Sequence, residues 1–216
     1  TDFPHVRRLL ADAYVRLLAM KLYSARCSDY ERSATADDRR FLLYNPIAKM
    51  KVTSEGEQVI DLLWEVIAAK GFEKDTYFEQ AVQHIRTLPK LEGTVHVNLA
   101  LVLKFLPAYA AAAAGRPAAC PDVPVRLDPA DDAFLFAQGP ASGLSRIGFP
   151  DWRGAFLRFG HLPNVATFLA QVQAFGRLVA TAGPQGEQAK DLDFLLTIGQ
   201  IFTQVVYAQL VAEAAA

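Results

Sequence analysis

Cysteine and histidine are scarce in this chain, and the shortage removes whole classes of chemistry. The two cysteines, Cys27 and Cys120, stand far apart, so they make neither a disulfide framework nor a metal cluster, and a reducing, cytoplasmic setting is expected. The four histidines, His5, His84, His96 and His161, are isolated from one another, and no metal site is expected. His96 is assigned a packing or hydrogen-bonding role. Excess charge of one sign is missing too: 22 basic against 23 acidic residues leave a formal charge of -1. That balance supplies no overall field for nucleic acid or an anionic membrane, so an anionic ligand has to be met locally.

Several sequence signals are absent as well. Thr1 to Arg8 carries basic residues but no apolar run of signal-peptide type, so no export is expected. The most apolar stretch, Leu99 to Ala114, is broken by Lys104 and Pro107 and falls short of the roughly 20 residues that cross a bilayer. It reads as a buried helix, and no membrane span is expected. Gly143-Leu144-Ser145-Arg146-Ile147 lacks the second glycine of a nucleophile elbow. There is no Gly-rich nucleotide fingerprint or phosphate loop. Asp128 to Asp132 holds three acids in five residues and reads as an acidic helix start rather than a calcium loop.

What remains is apolar and helical. With 216 residues and 52% hydrophobic content the chain can bury a substantial core. From Val6, Leu9, Leu10, Ala13, Leu17, Met20 and Ser24 recur at helical spacing. Asn45-Pro46 reads as an N-cap and first helical position, opening a helix with Val59, Leu62, Leu63, Val66 and Ile67 on its apolar face. Gly71 reads as its left-handed cap. Further helices are predicted over Thr76 to Thr87 and from Thr94 to about Ala114. Pro117, Pro121, Pro124 and Pro129 mark a linker. Beyond it, short helices are expected around Asp131 to Gln138 and Asp151 to Phe159, with the turn Gly139 to Gly143 between them. Two stronger helices follow, over Asn164 to Thr181 and from Glu187 to the end. Strand signals are almost absent. The expected architecture is all-α, with a four-helix bundle at 1–115, a Pro-rich linker at 116–130 and a helical extension at 131–216.

One junction carries chemistry. Pro89 stops a helix because it lacks an N–H and clashes backwards. Gly93 lets the backbone turn, and Thr94 is placed to cap the next helix. Glu92 is thereby held on a stiff corner. On these residues alone, a Glu beside a helix start is more often just a favourable charge near the positive end of the helix dipole.

Glu92-Gly93-Thr94 resembles the Glu-Gly-Thr segment of the acyl-CoA dehydrogenases, in which the Glu removes the α-proton of the thioester. One helix earlier, Trp64-Glu65-Val66-Ile67-Ala68-Ala69-Lys70-Gly71-Phe72 is similar to a family segment that ends in two small residues, one variable residue and Gly-Phe and contacts the flavin nucleotide. Met20-Lys21 with Ala25-Arg26 resembles the family's long bundle helix, and Ile47-Ala48-Lys49 the start of the next. The likeness runs in continuous register from Val6 to Leu106, roughly half of the chain. It departs at Ala68 and Ala69, where the family has glycines, at Glu65, near which it has Gln, and at Gln83-His84, which replace an Arg-Asp pair. Arg86 matches a later basic position. The family's N-terminal helical domain, middle β-domain and Arg-x-Thr-Phe-Gly flavin loop have no counterpart here.

The resemblance implies the C-terminal portion of an FAD-dependent oxidoreductase of fatty acid metabolism that introduces a double bond into an acyl-CoA thioester. Glu92 would be the catalytic base and its N–H an oxyanion donor. Glu65, Ala68, Ala69 and Thr94 would contact FAD, and Leu91 and Gly93 the substrate. An electron-accepting flavoprotein and a homo-oligomer are the implied partners. Self-association is also expected from apolar faces left uncovered, and the C-terminal helix, with Leu192, Leu195, Leu196, Ile201, Phe202, Val205 and Val206, is a candidate face for it. The isolated chain is expected to be inactive. The competing reading is a non-catalytic helical assembly or interaction module derived from the same family.

Overall fold

A computed structural model of the chain describes residues 2–128, 133–138, 143–182, 184 and 186–216. Among them it is all-helical, with no strand. Helix α1 spans Pro4–Arg32 and opens on its proline, whose missing N–H costs nothing in the first turn. Its burial is uneven. Tyr23, Cys27 and Tyr30 are buried, whereas Tyr14, Val15, Leu17 and Leu18 lie exposed nearer its start.

The next helix begins earlier than its sequence suggests. α2 spans Phe41–Ile47 and runs through Pro46 into a π-helical turn, Ala48–Val52, and then α3, Thr53–Ile67. Asn45 is therefore not an N-cap. Its side chain is used across the bundle, accepting from the Cys27 thiol at 3.1 Å and donating to Glu31 Oε1 at 3.1 Å. Burial pushes the Cys27 thiol up to about 12, so it stays a donor. Pro46 cannot donate to the Leu42 carbonyl, and the wide π turn just after it absorbs the mismatch.

Helix α4, Tyr77–Thr87, starts where its sequence predicts. The Thr76 hydroxyl accepts from the Glu79 N–H at 3.2 Å, and Glu79 Oε2 accepts from the N–H of Asp75, one residue before the cap, at 2.8 Å, a variant of the capping box. α3 and α4 are antiparallel: Lys90 pairs with Glu57, Arg86 with Asp61, and Phe78 lies edge-on to Trp64. Gly56 sits at their crossing with α1, where a Cβ would already touch Ile85 at 3.5 Å and Met20 at 3.6 Å. α5, Val95–Val102, continues through a 3-10 turn into α6, Leu106–Ala113, with Pro107 in its first turn.

Residues 116–128 carry no helix. They lie against α1 and α2: Arg26 donates to the Val123 carbonyl at 2.8 Å, Arg40 to the Pro121 carbonyl at 2.7 Å, and the Arg126 N–H to Asp29 at 2.9 Å. Short helices follow as α7, Ala133–Ala137, and α8, Arg153–Leu157. α9, Pro163–Ala182, and α10, Leu192–Ala214, complete the fold. Asp131 and Asp132 of the predicted acidic helix start lie outside the described residues, as do residues 139–142 of the predicted turn.

The core runs continuously from Tyr23, Leu43 and Tyr44 through Val102, Phe105 and Tyr109 to Phe202, Val206 and Leu210. Helix α10 packs along α1, α5 and α8. Its Phe202, Val205 and Val206 are therefore buried within the chain, which corrects their expected role as a self-association face; Leu192 and Ile201 stay exposed. Val95–Ala113 and Leu192–Ala214 are long and apolar enough to cross a membrane by length and composition. Here 39% and 50% of those windows are buried, and both serve as core helices.

Candidate functional site

The corner forms as Pro89 and Gly93 dictate. Pro89 is buried in a single 3-10 turn, Leu88–Lys90, which ends α4. That turn is tied down at two points: the Lys49 ammonium donates to the Leu88 carbonyl, and Lys90 Nζ lies 2.7 Å from Glu57 Oε1. Leu91 is extended, and then two left-handed residues follow, Glu92 at φ +50° and Gly93 at φ +101°. Glycine takes such a φ freely, whereas a Glu there is uncommon and costs of order 1 kcal/mol.

Thr94 stands at the N-cap position of α5, but its side chain caps nothing. Asn98, from the second turn, does the tethering instead: its Nδ2 donates to the Thr94 carbonyl at 3.0 Å and the Gly93 carbonyl at 3.4 Å. Asn98 is 9% exposed and interrupts the apolar run Val95 to Val102, a signal the sequence offered. His96 lies exposed on α5, which corrects its expected packing role. His5, His84 and His161 are exposed too, and no group of three His, Cys, Asp or Glu among the described residues converges as a metal site.

At the other candidate segment α3 ends on Ala68, at φ 52° and ψ -129°. That conformation suits glycine, so the methyl of Ala68 sits on a backbone shaped for none. Gly71 is not the left-handed cap that its sequence suggests. It is glycine because a Cβ would fall 2.3 Å from Trp64 Nε1. Phe72 also folds toward Trp64, their rings 5.2 Å apart. Ala68→Gly is expected to raise stability by about 1 kcal/mol, the relieved strain exceeding the added chain entropy. The melting temperature should rise by about 2–4 °C for a chain of this size. A melting point at or below the parent's would sink this account of Ala68.

The structure gathers Leu91, Glu92, Gly93 and Thr94 on one turn, beside the N-terminal half of α3. It leaves Glu65, Ala68 and Ala69 at the far end of that helix. From Glu57, which Lys90 touches, to Ala68 the rise is about 16 Å. All of these residues are exposed except Gly93, which is half-buried. Cavities of about 1010 and 330 Å³ lie elsewhere, and none of the seven lines either. An isoalloxazine ring requires walls on more than one side. These residues present an open edge, so this chain by itself does not fit FAD.

No curated protein and no solved structure shows a significant match to the chain. A family model does: acyl-CoA dehydrogenase, C-terminal domain, over residues 1–106. The matched span covers α1 to α5 and both candidate segments, so residues 1–106 of this chain are an acyl-CoA dehydrogenase C-terminal domain.

Proposed function

We propose that this chain is the C-terminal portion of an FAD-dependent acyl-CoA dehydrogenase, with Glu92 as the base that takes the α-proton of the thioester. The observation that carries this reading is the exposed Glu92 at φ +50° on a turn anchored by Pro89, Lys49, Lys90 and Asn98. Gly and Asn are the residues that take such a φ most readily, and backbone strain held in place by its surroundings clusters at working positions. An open edge is also what a site completed by other protein would present. Leu91, 51% exposed, would then contact the acyl chain, and Glu65, Ala68, Ala69 and Thr94 the flavin. We further propose a cytoplasmic, oligomeric enzyme that hands electrons to a second flavoprotein, with the family unit ending near the 116–130 segment.

The isolated 216 residues should show no dehydrogenation of any acyl-CoA with added FAD and an artificial electron acceptor. Turnover would overturn the view that the site is shared with other protein. Expression of the gene's full reading frame should give a yellow protein active on acyl-CoA. A full-length product without flavin absorbance would favour the alternative, a non-catalytic assembly module, for which the open edge is simply a docking face.

A further inference from the structure

The larger cavity, about 1010 Å³, lies between α6, α9 and α10, outside the Leu91 to Thr94 turn. On one side Ala110, Ala111, Ala113 and Ala114 of α6 and its end hold the wall back; these are the residues that make the close of the 95–113 run so apolar. On the other side α9 presents Leu169, Val172, Gly176 and Val179, a stripe at helical spacing. Ile198, Phe202 and Val205 of α10 form the floor. Of the described α9 residues only Val172 is buried. A helix docked merely for packing would close onto its partner, because protein interiors leave few voids larger than a water molecule. This helix stands off with its apolar stripe facing a gap.

The charge around that gap has one sign. Lys104, Arg116, Arg153 and Arg177 line it, and no described Asp or Glu does, in a chain whose charges otherwise balance. Arg153 is paired with Asp151 at 2.6 Å. Lys104, Arg116 and Arg177 make no ion pair with a described carboxylate. A half-open apolar cavity of this volume, with cations at its margin that no described carboxylate pairs, suits one kind of occupant. We propose that the cavity binds a long-chain carboxylate, its methylene tail against α6, α9 and α10 and its head group on Lys104, Arg116 or Arg177. This site is separate from Glu92 and stands whether or not Glu92 is a base.

Trp152 lines the cavity and Trp64 does not, and the chain has only these two tryptophans. In a Trp64→Phe chain, a dibrominated C18 carboxylate below its micellar concentration should quench Trp152 saturably, at one ligand per chain. Displacement by unbrominated carboxylates of C8 to C18 should tighten about fourfold per methylene until the cavity is full. Gly176→Phe is the filling variant: Gly176 lines the cavity and nothing lies within 4 Å of a Cβ there, so the substitution starts from open space. It should retain the helical spectrum and weaken binding at least tenfold. Lys104→Glu with Arg177→Glu should weaken a C16 carboxylate about tenfold or more and leave the C16 alcohol unchanged. Length-independent quenching, or parent affinity in Gly176→Phe, would overturn the proposal. So would quenching by brominated phospholipid vesicles without binding of the monomeric carboxylate, which would make the face a membrane contact. A dimer broken by Gly176→Phe in a parent that binds no carboxylate would assign the gap to a second copy of the chain.

Discussion

Glu92→Gln in the complete enzyme should lose dehydrogenation turnover by roughly 10² to 10⁴, the usual worth of a positioned general base, while acyl-CoA binding survives. Gln preserves the shape and reach of the side chain and removes only its basicity. Exchange of the substrate's α-hydrogen with deuterated solvent isolates the same step and should fall in parallel. Glu92→Asp keeps a carboxylate but withdraws it by one methylene, and displacement on the ångström scale costs about 10². Glu92→Gly separates strain from chemistry. Freed of the penalty at φ +50°, it should unfold about 2–4 °C above the parent and be as inactive as Gln. Parent turnover by Glu92→Gln at saturating acyl-CoA would place the base elsewhere and make the Leu91 to Thr94 corner purely structural.

The sequence is most legible where a signal and its partner are close together in the chain. Thr76 and Glu79 cap α4 within one turn, and the predicted Thr76 to Thr87 helix differs from the observed one by a single residue. The expected Asn164 to Thr181 helix likewise differs by one residue at each end. Readings fail where a distant residue decides. Asn45 looks like a cap, yet Cys27 and Glu31 on α1 claim its amide, so the helix starts at Phe41 instead. Gly71 looks like a left-handed cap, yet the indole of Trp64 explains it. The last helix begins at Leu192 rather than Glu187 because Asp191 accepts from the Phe194 N–H at 3.1 Å. The candidate site divides in the same way. Pro89 and Gly93 announce a corner locally, but its exposure, the tether from Asn98 and the separation from Ala68 depend on how α3, α4 and α5 pack.

Glu213→Ala is expected to be strongly destabilising, at about 2–4 kcal/mol. Glu213 joins three parts of the fold. Its Oε2 accepts from Arg26 Nε at 2.9 Å and from the Tyr30 hydroxyl at 3.0 Å, both on α1. Its Oε1 accepts from Gln209 Nε2 at 2.6 Å, and Gln209 in turn accepts from the Tyr109 hydroxyl of α6 at 2.5 Å. Burial on its own would lower the pKa of Arg26, but the bond to Glu213 leads the opposing effects and leaves it raised. With the carboxylate gone, Arg26 keeps Asp29 at 3.4 Å, the Val123 carbonyl and the face of the Tyr30 ring, while the Tyr30 hydroxyl and the Gln209 amide lose their acceptor. Donors left unsatisfied at largely buried positions account for most of the cost. The corresponding fall in melting temperature is about 4–16 °C. Glu213→Gln should fall between, because its amide oxygen can still accept from α1 but its NH₂ then faces the donor on Gln209. A Glu213→Ala chain that melts within about 1 °C of the parent would mean that water replaces the carboxylate and that α10 is held by its apolar face alone.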